Sequence, residues 1–173
     1  MNSTDKFFEF LEDHAALLGH VTLAWNDCHS IVLSIFHTLS GVSWEKAYAI
    51  FLALKSDHAR REITLALMNE VLNTKNDEPM RELGTKLLGQ LAGLAGERNL
   101  ATHTMWVTVM PDREVLPHPM LPRPKQLKQD FKSQFSKLAT DLRHHCHELM
   151  KYEGGLRVHL EQTQKRLGRR GKA

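Results

Sequence analysis

From Leu18 to Leu39, apolar residues return every three or four positions: Leu18, Val21, Trp25, Cys28, Val32, Ile35, Leu39. That spacing is the buried seam of a long amphipathic helix. The cap-like run Ser3-Thr4-Asp5 opens it and Ser40-Gly41 stops it, with Gly19 a point where it can kink into two. Ser43 is placed to cap a shorter helix carrying Ala47, Ile50, Phe51 and Leu54. Asp57 is placed to cap a third, with Ile63, Leu67, Met68, Val71 and Leu72 on one face. Residues 73–77 read as a loop in which Asn76 or Asp77 caps a fourth helix over 78–102. The stripe of that helix is Met80, Leu83, Leu87, Leu91 and Leu94.

The fourth helix also carries Gly84, Gly89, Gly93 and Gly96. Each glycine inside a helix costs about 1 kcal/mol against alanine, so the pattern predicts either close backbone approach or a weak helix held by packing. Five of the chain's six prolines follow between residues 106 and 125, which forbids a long helix there. Val107-Thr108-Val109 and Glu114-Val115-Leu116 are predicted to pair as a short hairpin around Pro111-Asp112-Arg113. A last helix is expected over 125–152, ending near Gly154-Gly155, with Leu127, Phe131, Phe135, Leu138, Leu142 and Leu149 inward. The class is therefore all-α: an antiparallel bundle of about five helices, with a proline-rich loop or hairpin before the last. One helical domain is expected over 1–155, and a basic tail over 156–173.

Composition adds bounds. With 173 residues, 42% hydrophobic and 25% charged, the chain can bury a core without disulfides or metal. Two cysteines make no disulfide framework, and no signal-like start or 18-residue apolar run is present. The expectation is a cytoplasmic protein that does not enter membranes. The net charge of +3 divides into +5 on residues 156–173 and −2 on the rest. Such a tail can touch nucleic acid, or can be a frayed, solvated chain end.

The chemically pointed residues are Arg98 and His103. Continuing the stripe from Leu87, Leu91 and Leu94 by four residues lands on Arg98, and a charge on an apolar face needs a partner. His103 lies five residues on, about 140° around an ideal helix, so the two side chains do not share a face. They meet only if the helix ends or distorts near Thr102, or if a second subunit contributes.

Arg98-Asn99-Leu100-Ala101-Thr102-His103 resembles the Arg, polar residue, three variable residues, His signature of the HEPN superfamily. The order of elements over roughly residues 10–150 is also similar. The resemblance implies a small all-helical domain, commonly a homodimer, and commonly a metal-independent ribonuclease. It implies catalytic roles for Arg98 and His103, with Asn99 placed either to orient the scissile phosphate or to cap the helix end. Thr104 departs from the small residue common after the histidine, and no tyrosine lies two residues beyond His103.

The residue types suit that chemistry. Histidine exchanges protons near neutral pH, and arginine holds phosphate oxygens through paired hydrogen bonds. No cofactor or metal is called for. His144, His147 and Glu148 have one-face spacing, but Lys151 stands where a zinc-binding repeat needs histidine, and a polar helix face with Cys146 turned inward is the plainer reading. Two functions stay open: an RNA-binding or RNA-cleaving homodimer, and a helical module that binds a protein partner, in which Arg98 and His103 are structural.

Overall fold

The computed structural model describes residues 3–109 and 114–170, with side chains over 11–109 and 114–166. The described residues form five helices and one small sheet. In order they are α1 (Ser3–Ser40), α2 (Trp44–Ala53), α3 (Asp57–Val71), α4 (Glu78–His103), β1 (Trp106–Val109), β2 (Glu114–Pro117) and α5 (Phe131–Arg170). The class is the all-α helical bundle that the periodicity predicts. No helix of the described residues is long and apolar enough to cross a membrane.

The chain divides into two compact units. The first holds residues 1–26 and 93–143, and the second 27–92 and 144–173. Helix α1 is continuous through Gly19, and Gly41 beyond it takes a left-handed conformation, φ 64°, that closes the helix. Its predicted seam is buried from Val21 to Leu39.

In the second unit, Ser56 and not Asp57 caps α3: its hydroxyl accepts from the Ala59 amide at 3.1 Å. Asp57 is instead the first helical residue, where its charge suits the helix N-terminus and meets Arg60 at 3.3 Å. The buried face of α4 here is Gly84, Leu87, Leu88 and Leu91, so Leu83 is turned out, 46% exposed, against expectation. Gly84 explains the rotation. A Cβ there would lie 2.6 Å from the Met68 thioether and inside the radius of the Tyr152 hydroxyl. The other three glycines of α4 face open space, so close approach accounts for one position only.

Helix α5 does not stop at Gly154-Gly155. It runs on to Arg170, carrying residues expected in the tail. Leu149, Tyr152 and Leu156 are buried at helical spacing across the glycines, and that burial outweighs the glycine penalty. Asp77 ties the unit together at 5% exposure. Its carboxylate accepts from the Thr74 hydroxyl at 2.6 Å and amide at 3.1 Å, and meets the His159 ring at 2.6 Å.

In the first unit, β1 and β2 pair antiparallel as the predicted hairpin, with Val107 opposite Leu116 and Thr108 opposite Val115. The predicted turn at Pro111-Asp112-Arg113 lies outside the described residues. Helix α5 begins at Phe131, later than the expected 125. Asp130 caps it by accepting from the Ser133 amide at 3.0 Å. The Gln134 side chain holds the preceding strap irregular, bonding Lys128 N and Gln126 O at 3.0 and 3.2 Å.

Candidate functional site

The Arg98–His103 segment is the last part of α4 and belongs wholly to the first unit. The helix keeps its regular form to His103. Thr102 Oγ1 donates to the Arg98 carbonyl at 3.0 Å, and Thr104 donates to the Leu100 carbonyl through both amide and hydroxyl. The Trp106 indole N–H donates to the Ala101 carbonyl at 3.1 Å. Carbonyls that the helix end leaves without intrahelical donors are thereby satisfied.

Trp106 is itself clamped. Its ring lies 4.6 Å from His14, 4.8 Å from Phe131 and 5.8 Å from Phe135, centroid to centroid. The His14 ring is buried among these aromatics. Burial, then the charge of Lys132, depresses its pKa below the usual histidine value, so it sits neutral.

Arg98 occupies the inward side of α4, as its place in the stripe predicts, and is half-buried. Its guanidinium carbon lies 4.6 Å from the centre of the Trp25 ring, and Trp25 is only 3% exposed. This is a cation–π contact. Stacking engages the face of the guanidinium, while its N–H donors lie in the plane. Asn99 and His103 are both exposed. Because α4 stays regular, His103 projects about 140° away from Arg98 around the axis. One chain therefore puts Asn99 and His103 toward solvent and Arg98 against Trp25. It does not bring Arg98 and His103 onto one face.

Two features escaped the sequence. A shallow cavity of about 250 Å³ is lined by Glu114, Val115, Leu116, Gln129, Asp130, Phe131 and Lys132, and includes neither Arg98 nor His103. The Asp77–His159 pair joins residues 82 apart, and local spacing carries no sign of it. In the second unit, His144 and His147 are exposed, Glu148 bonds Lys151 at 2.9 Å, and His145 is buried. Cys146 turns toward Cys28 and shares a thiol hydrogen bond with it. Among the described residues no three metal-ligating side chains cluster.

Compared with protein-family models, curated proteins and solved structures, the chain finds no match.

Proposed function

We propose that this protein is a HEPN-like RNA-binding homodimer that cuts RNA without a metal. The observation that carries the reading is the end of α4. There an arginine stacked on a buried tryptophan, Arg98, lies within a turn and a half of two solvent-facing polar residues, Asn99 and His103. In the reaction, a ribose 2′-oxygen bonds to the adjacent phosphorus as the bond from phosphorus to the 5′-oxygen breaks. The 2′-hydroxyl gives up a proton and the 5′-oxygen gains one. Two copies of His103 supply the acceptor and the donor, and Arg98 stabilises charge on the phosphate oxygens. A two-fold dimer answers the angular separation within one chain by setting two copies of each group around one cleft.

One observation favours a second reading. Arg98 packs against a buried tryptophan, the behaviour of a structural cation. On that reading the chain is a non-catalytic module that binds a protein partner. Incubating the pure chain with mixed RNA and a chelator separates the two. Cleavage lost in both Arg98→Ala and His103→Ala supports the nuclease. No cleavage by the parent, with Arg98→Ala poorly stable, supports the module.

A further inference from the structure

The last turn of α4 is not held by its own helix alone. The Trp106 indole N–H, at the start of β1, donates back to the Ala101 carbonyl at 3.1 Å. Through that bond the seating of one indole ring supports the helix end that carries His103. Three rings of the same unit seat it: His14 of α1, and Phe131 and Phe135 of α5. His14 is the nearest, 4.6 Å away between centroids, and is the titratable ring of the four.

His14 is 6% exposed, and both its ring nitrogens are buried without a hydrogen-bond partner. A neutral imidazole bears that at moderate cost. An imidazolium has two N–H donors and a full charge to satisfy. Among the described residues no acceptor lies within reach of either nitrogen. Trp106 of β1 and Phe131 and Phe135 of α5 carry no charge. The charged group that acts on the ring is Lys132, also on α5, and it repels a proton. The aromatic faces attract a cation by less than the water it has lost.

We infer that His14 is an acid-operated latch on the end of α4: a proton on its ring drives it out of the cluster, unseats Trp106 and frays the turn that carries His103. The sign follows from burial. Exposed, the ring takes up its proton around the ordinary 6.5, whereas in the closed cluster its pKa is held lower. Below 6.5 opening therefore gains a proton that the closed form refuses, and the open population rises as pH falls. His145 in the second unit is buried as well, but two features that His14 lacks favour the proton there: a hydrogen bond with the Leu87 backbone and the charge of Glu148. Such a latch would regulate the site proposed above, and rests on that reading for its effect on RNA.

The test is hydrogen exchange on the full chain without RNA, read by NMR from pH 7 to pH 5 and corrected for the intrinsic pH dependence of exchange. In the parent, the opening constant at the Trp106 indole proton and the Thr104 amide is expected to rise threefold or more, and by up to about 25-fold, as the released imidazole fills with protons. Lys132→Glu, at an exposed position, sets an attracting charge beside the ring and is expected to cut that rise to less than half. His14→Phe fills the site without titrating and is expected to abolish it. A smaller rise in the parent overturns the latch. So does a rise that either variant leaves intact. An equal rise at the Leu72 and Arg81 amides of the second unit also overturns it, since that marks unfolding of the whole chain. Cleavage is assayed separately: a parent that cuts no RNA while its exchange follows this pattern refutes the nuclease reading and leaves the latch standing.

Discussion

The guanidinium carbon of Arg98 lies 4.6 Å from the centre of the Trp25 ring, joining the most chemically pointed residue of α4 to the buried seam of α1. The contact sets a cation over an aromatic face and contributes to stability, about 1–2 kcal/mol at such a partly desolvated site. Arg98→Ala is therefore expected to lower stability by about that much and cleavage about a hundredfold or more. Arg98→Lys keeps the charge but loses the planar fork, and is expected to recover less than a tenth of the lost rate, by roughly the difference between paired and single phosphate contacts. Urea unfolding and a labelled-RNA assay on both variants check this. Full activity in Arg98→Ala removes it from the chemistry.

His103 is exposed, so His103→Ala is expected to leave the thermal midpoint nearly unchanged. Cleavage is expected to fall by about 10²–10⁴, the usual range for a lost proton-transfer group. EDTA should have no effect, and the product should end in a 2′,3′-cyclic phosphate detectable by mass spectrometry. Cleavage that survives in His103→Ala would refute the proton-transfer role.

The glycines of α4 are expected to split in sign. At Gly84 an added Cβ meets Met68 at 2.6 Å and also the Tyr152 hydroxyl, so Gly84→Ala should cost about 1–3 kcal/mol through overpacking. At Gly89 and Gly93 nothing lies within 4 Å. Alanine there should stabilise by about 0.5–1 kcal/mol each through helix propensity. Denaturant midpoints of the three variants decide the matter.

Two buried histidines set a dependence on acid. Burial lowers the pKa of His14, reinforced by Lys132. Burial also lowers that of His145, against an opposing hydrogen bond with the Leu87 backbone. Below the ordinary value of 6.5 the unfolded chain binds protons that the folded chain refuses. Their contribution is complete above that pH and is lost as pH falls toward the depressed folded values. His14→Phe is expected to flatten the fall in stability between about pH 7 and pH 5. An unchanged slope would show that His14 is not buried neutral.

Burial pushes the Cys28 thiol up to about 12, helped by the neighbouring Cys146 and Asp27. Cys28 is fully buried as well. It is expected to resist iodoacetamide in the native protein at neutral pH and to react once the chain is unfolded in urea. Native labelling at Cys28, read by peptide mass spectrometry, would contradict this.

The sequence by itself determined the helices, the short hairpin and the inward place of Arg98, because each follows from local periodicity and short-range pairing. The α1 seam, the α5 apolar positions and the pairing of the two hairpin segments could all be read without a fold. The tertiary structure decided what local pattern leaves degenerate. Leu83 and Gly84 are adjacent in sequence, and only Tyr152 and Met68 determine which of them turns inward. Helix α5 crosses Gly154-Gly155 because burial of Tyr152 and Leu156 outweighs two unfavourable backbones. Trp25 as the platform under Arg98, and His159 as the partner of Asp77, are contacts between residues 73 and 82 positions apart. Spacing along a chain fixes which side of a helix a residue occupies. What it meets there depends on how the helices pack, and that is settled by the sum of buried surface over the whole core.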